Sequence, residues 1–267
     1  MRTIALLPTL ITLGNGVCGM AAIGRIGMGM ASGKELYFHQ AAWLILAAMI
    51  FDALDGFVAR MTRTTSPFGA QLDSLCDLVT FGVAPGFLVF ALTRSGDPGF
   101  MSERLVPAVC ILYSMCALIR LGRFTIETAP DESSHREFAG LPSPAAAGLI
   151  AGAALPTREL MRIGPELAIF TKAALPAFAL AAAVLMVSRV RYAHVVNRLL
   201  RGRRPFVTLI ELGLVLALGY LIREWVFFLA FFVYAVSGPA LWMKARFFRK
   251  PAPSPAPARA ERDQSLF

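Results

Sequence analysis

The feature that most constrains this chain is a succession of apolar runs, each close to the length that crosses a lipid bilayer. A hydrocarbon core about 30 Å thick takes about 20 apolar residues per helix. Eight runs meet that length: roughly Thr3–Gly24, Ala41–Met61, Leu72–Thr93, Leu105–Arg123, Phe138–Thr157, Ala168–Ser188, Phe206–Ile222 and Trp225–Met243. Of the 267 residues, 57% are hydrophobic and 16% charged, whereas a soluble domain carries about 45–50% and about 25%. That excess excludes a soluble enzyme and a disordered chain. The expectation is an all-α, polytopic transmembrane bundle of about eight spans over residues 1–249. A Pro/Ala-rich tail, 250–267, lacks hydrophobic periodicity and reads as disordered. Pro8 and Asn15 interrupt the first run and no small-residue cleavage site follows, so it reads as a helix, not a signal peptide.

Loop charges orient the bundle. With the N-terminus in the cytoplasm, the cytoplasmic segments hold eighteen Lys and Arg and the opposite side eight. Positive residues concentrate on the cytoplasmic side, so both termini are expected inside a cell membrane, the cytoplasmic or inner one. The basic stretch Arg189–Arg204, interleaved with Val, Leu and Tyr192, suits an anionic leaflet better than nucleic acid. Cys18, Cys76, Cys110 and Cys116 have no paired spacing and read as packing residues. His39, His135 and His194 are placed in scattered loops, which argues against a histidine metal site. Gly82-x3-Gly86 and Gly148-x3-Gly152 are small-residue spacings that let helices approach closely, within one subunit or between two. Glu211, in the seventh run, has no evident partner.

Acids inside the spans carry the chemistry. Asp52, Asp55, Asp73 and Asp77 lie within or at the ends of the second and third runs. One Asp at a bilayer centre costs a few kcal/mol even on lenient scales, so four require a wet cavity and neutralisation. Asp52 and Asp55 are three apart, and Asp73 and Asp77 four apart, so each pair shares a helix face. The short TRTTSPFG turn makes the two helices antiparallel neighbours whose faces can meet. One or two divalent cations would relieve the repulsion, and an all-oxygen donor set suits Mg²⁺ or Mn²⁺. Spacing alone leaves open a phosphate-handling metal enzyme, a cation or solute transporter, and simple pairing with Arg60 or Arg63. Gly56 and Ala59 are small residues beside the acids, where a bulky ligand can lie close to backbone. Arg60 supplies a fixed cation of the kind a diphosphate needs, and Gly69 opens the next helix.

The full pattern, Asp52-x2-Asp55-Gly56-x2-Ala59-Arg60-x8-Gly69-x3-Asp73-x3-Asp77, resembles the signature of the CDP-alcohol phosphotransferases at every fixed position. The resemblance implies a membrane-embedded enzyme that displaces CMP from a CDP-linked donor with the hydroxyl of a second substrate. It implies that Asp52, Asp55 and Asp73 bind one or two divalent ions, with Asp77 the base for the acceptor hydroxyl and a possible fourth ligand. Gly56, Ala59, Arg60 and Gly69 would line the donor site. Thr12 and Asn15, on one face of the first helix, would hydrogen-bond the donor diphosphate or else make an interhelical polar contact.

Further stretches resemble membrane-embedded bacterial phosphatidylserine synthases: Leu7–Gly19, Gly69–Pro85, Ile119–Phe124, Phe138–Gly148 and Leu185–Tyr192. FAGLPSPAAAG, residues 138–148, is the most discriminating. The chain departs from the pattern at Cys76 and Gly122, where Ala is usual, and at Thr125, where Asn is common. The implied reaction joins CDP-diacylglycerol and L-serine to give phosphatidylserine and CMP, in a family that is often homodimeric. Serine needs a cation for its carboxylate, and Arg120 and Arg123, one turn apart, are the candidates. A sibling enzyme using glycerol phosphate, inositol phosphate or choline would share the core and differ in that pocket.

Overall fold

Apolar runs of this length leave the backbone without water, so each N–H and C=O must be met inside the protein. The computed structural model describes residues 6–62, 67–96, 100–127, 140–190, 192 and 225–247, and within them the chain is helical with no strand. The helices are α1 (Leu6–Ser32), α2 (Glu35–Thr62), α3 (Pro67–Asp77), α4 (Ala84–Gly96), α5 (Phe100–Glu127), α6 (Ser143–Ala154), α7 (Thr157–Ile163), α8 (Pro165–Val187) and α9 (Trp225–Phe247). A π-helical turn, Leu78–Val83, joins α3 to α4. Gly33, with φ +67°, ends α1 in the left-handed conformation, and its N–H returns to the Gly29 carbonyl at 2.9 Å. That cap folds α2 back along α1.

Six segments among the described residues are long and apolar enough to cross a membrane: Pro8–Ser32, Glu35–Val58, Phe68–Ser95, Glu103–Arg123, Pro165–Val187 and Trp225–Met243. The fifth expected run differs. Its helix, α6, has only 12 residues, about 18 Å at 1.5 Å per residue, and stops at the Leu155-Pro156 turn. Eleven of its residues are buried, so this helix packs inside the bundle; the first residues of the expected run lie outside the described residues. The run Phe206–Ile222, Glu211 and the tail 250–267 lie outside the described residues.

Three prolines inside helices are met by one recurring device. A proline has no N–H to give the carbonyl four residues earlier. Pro85 so frees the Phe81 carbonyl, which accepts the Tyr113 hydroxyl of α5 at 2.9 Å. Pro176 frees the Lys172 carbonyl, which accepts the Thr93 hydroxyl of α4 at 3.3 Å. Pro239 frees the Ala235 carbonyl, which accepts the Tyr192 hydroxyl at 2.9 Å. Each interruption thereby becomes an interhelical bond. Burial pushes the Tyr192 phenol up to about 12, with Tyr234 adding to the shift, so it stays protonated and keeps donating at any physiological pH.

The small-residue spacings pack helices within the subunit. A Cβ on Gly148 would meet the Phe231 ring at 2.5 Å, and one on Gly152 the Phe228 backbone N at 2.9 Å. Gly82 and Gly86 lie against Ala117 and Ser114 of α5. Before α6, Gly140 takes φ +99°, and a Cβ there would collide with the Met186 carbonyl. Its N–H bonds the Val190 carbonyl and that of Leu141 the Leu185 carbonyl, both at 2.9 Å. These bonds fasten the start of α6 to the end of α8.

Candidate metal and donor site

The start of α1, the later turns of α2, the end of α3 and the end of α5 meet at one end of the bundle. The antiparallel hairpin of α2 and α3 brings its acids together as the spacing predicts. Asp52, Asp55 and Asp73 each offer an oxygen within 4.8 Å of the others. Oxygens coordinating Mg²⁺ at about 2.1 Å sit about 3–4 Å apart, so the cluster is close to a ligand set. Asp55 is 6% exposed. Its Oδ2, and Oδ1 of Asp73, are buried with no hydrogen-bond partner. Buried carboxylate oxygens are ordinarily satisfied, and among the described side chains no ion pair neutralises these. The donor set, its hardness and its orphaned atoms fit a divalent cation.

Asp77 is held differently. It is 8% exposed and accepts a hydrogen bond from Asn15 Nδ2 at 2.8 Å. It lies close enough to Asp52 and Asp73 for their charges to interact. The backbone carbonyl of Asn15 accepts the Thr80 hydroxyl at 3.2 Å, which fixes α1 against the π-helical turn. The wide turn begins directly after Asp77, and such turns often mark functional positions. Thr12, one turn before Asn15, gives its hydroxyl to the Pro8 carbonyl at 3.0 Å and sits beside Asp55. Of the two roles open to Asn15, the interhelical contact is present, made to the candidate base itself. Its Oδ1 remains buried and unpartnered.

A Cβ added at Gly56 would touch nothing within 4 Å. Packing among the described residues therefore does not require a glycine there. Gly69 lies in the first turn of α3, half-buried. The side chains of Ala59 and Arg60 fall outside the described residues.

Arg120 is half-buried at the end of α5, near enough to Asp77 and Asp52 to interact with their charges. Its Nη1 donates to Ser143 Oγ at 2.9 Å, while its Nε is buried without a partner. Arg123, one turn on, is exposed. Sequence reasoning missed Ser143, because nothing in SPAAAG signals that its hydroxyl receives an arginine from another helix. All four cysteines are free thiols. His39 is not in a loop. It lies in α2, its Nε2 accepting Trp43 Nε1–H at 3.1 Å, a packing role; His135 and His194 lie outside the described residues.

With a carboxylate cluster of this kind set in an all-helical membrane protein, the class is defined. The family model for CDP-alcohol phosphatidyltransferase matches residues 5–187, and the chain belongs to that family. Among curated relatives, the CDP-diacylglycerol–serine O-phosphatidyltransferase of Helicobacter pylori is 35% identical over 187 residues, 70% of this chain and 71% of that one. Proteins of the same name from Bacillus subtilis (36%, covering 52% of this chain and 69% of that one) and Methanocaldococcus jannaschii (42%, covering 41% and 47%) are also similar.

Proposed function

We propose that this chain transfers the phosphatidyl group of CDP-diacylglycerol to the hydroxyl of L-serine, giving phosphatidylserine and CMP. The observation that carries the reading is the meeting of Asp52, Asp55 and Asp73 with orphaned oxygens, in a chain of this family whose relatives bear that name.

Asp52, Asp55 and Asp73 would hold one or two divalent ions, Mg²⁺ or Mn²⁺. Such an ion, when bound, offsets diphosphate charge and favours departure of CMP. Gly56, Ala59, Arg60 and Gly69 line the donor nucleotide, and Thr12 and Asn15 form the wall opposite. Asp77, oriented by the Asn15 amide, accepts the serine hydroxyl proton as the serine oxygen attacks the phosphatidyl phosphorus. The new P–O bond forms as the bond to CMP breaks. Arg120 takes the serine carboxylate through the N–H it leaves unpaired, and Arg123 adds positive charge at the entrance. The enzyme works as a multi-pass homodimer of the cytoplasmic membrane, with both termini and the site facing the cytoplasm and the family fold extended to residue 249.

The test is CMP release by purified protein supplied with CDP-diacylglycerol, Mg²⁺ or Mn²⁺, and a panel of alcohols. Release dependent on serine is expected; release with another alcohol alone, or none, contradicts the assignment. Asp77→Asn should lower turnover by about 10²–10⁴-fold and leave CDP-diacylglycerol binding within a few-fold. Lost binding with residual turnover would make Asp77 a ligand instead.

A further inference from the structure

The family match ends at residue 187, yet α9, which begins at Trp225, packs along α6. The contacts fix its register. Gly152 faces Phe228 and Gly148 faces Phe231, so the two helices run antiparallel. One turn further along α9 comes Tyr234, level with the first turn of α6, where Ser143 receives Arg120. Tyr234 and Arg120 are near enough to interact electrostatically.

Tyr234 is also held from behind. The Tyr192 ring lies 5.6 Å from it, centroid to centroid. The Tyr192 hydroxyl is tied to the Ala235 carbonyl, and Gly238 lies against the same ring, where a Cβ would meet it at 2.5 Å. Tyr192 thus clamps one turn of α9 in place. Tyr234 itself is only half-buried.

We infer that Tyr234 and Ser143 together form the wall that holds the Arg120 guanidinium, with its unpaired Nε aimed at the acceptor, so that α9 supplies a specificity residue from beyond the stretch matched to the family. The inference rests on the proposed role of Arg120 toward the serine carboxylate. Ser143 occupies Nη1, which stops the guanidinium from turning that edge toward the ligand. Tyr234 blocks rotation away from the site. A carboxylate-bearing acceptor is thereby preferred over one of the same size without the charge. Ser143 and Tyr234 act through Arg120 and are positioning residues.

The test uses purified full-length protein and steady-state CMP release, with serine and CDP-diacylglycerol varied separately, and serine methyl ester as the acceptor lacking the carboxylate charge. Tyr234→Ala and Ser143→Ala should each raise KM for serine by about tenfold, with kcat and the KM for CDP-diacylglycerol changing less than about threefold. Discrimination between serine and its methyl ester should fall in parallel. Tyr234→Phe, which keeps the ring and folds most readily, should recover most of the serine affinity. Arg120→Lys separates the two levels of the argument. If it raises the serine KM while the Tyr234 and Ser143 variants do not, the role of α9 is overturned and Arg120 keeps its own. If Arg120→Lys leaves serine KM and discrimination unchanged, the acceptor reading fails and this inference goes with it.

Discussion

The two ends of α2 handle buried acid in opposite ways. Near its start, Glu35 meets Lys172 of α8, a lysine only 1% exposed, whose Nζ also donates to Ser95 Oγ at 3.2 Å. Seventeen residues along the same helix, about 25 Å at 1.5 Å per residue, Asp52 and Asp55 meet another acid, Asp73. The first end is neutral by itself and binds α2, α4 and α8 together. Each end leaves a buried oxygen unpaired, Glu35 Oε2 at the first and Asp55 Oδ2 at the second, but only the second gathers like charge with no cation paired to it among the described side chains. A protein has no structural reason to assemble the second arrangement, because repulsion and desolvation both oppose it. The contrast separates an acid kept for the fold from acids kept for a ligand.

This difference predicts opposite mutational signatures. The largest effect should be Asp55→Asn or Asp73→Asn. Either should reduce serine-dependent CMP release by at least about 10³-fold, since charge stabilisation at the diphosphate is lost. Without divalent ions the same variants should unfold at the same temperature as the parent or higher, because a repulsion is removed. Thermal melts in EDTA check this, and clear destabilisation would place the cluster with the structural acids.

Next in size is the other end. Lys172→Met leaves Glu35 buried without its cation and should destabilise by about 3–5 kcal/mol, read as a lower melting temperature. Turnover per folded molecule should stay within about twofold. Adding Glu35→Gln should recover part of the loss. A large fall in turnover at unchanged stability would mean that this ion pair too serves the reaction.

The smallest effect concerns the proline-freed carbonyls. Thr93→Val removes the hydroxyl that serves the Lys172 carbonyl and should cost about 1–2 kcal/mol. In a Pro176→Ala background, the restored backbone N–H can serve that carbonyl, so Thr93→Val should cost less. Equal losses in both backgrounds would show that the hydroxyl matters for another reason.

The sequence made the acids legible because helix spacing alone puts Asp52 with Asp55 and Asp73 with Asp77, and a short turn joins the pairs. The glycine spacings were legible for the same reason. Local rules have no reach beyond that. The Asn15–Asp77 bond spans 62 residues and the Glu35–Lys172 bond 137, and no periodicity predicts such partners. Tyr234 was hidden within a run that reads as uniform apolar bulk. Only the packing of α9 on Gly148 and Gly152 turns it toward an arginine.

The central claim is that the aspartates of α2 and α3 form a divalent-cation site. Its most direct test is titration of the purified full-length protein with Mn²⁺, reading free ion by electron paramagnetic resonance. The account predicts one or two ions bound per chain, competed by Mg²⁺ and lost in Asp55→Asn and Asp73→Asn while Glu35→Gln keeps them. No saturable binding, or binding that survives both aspartate substitutions, would contradict it.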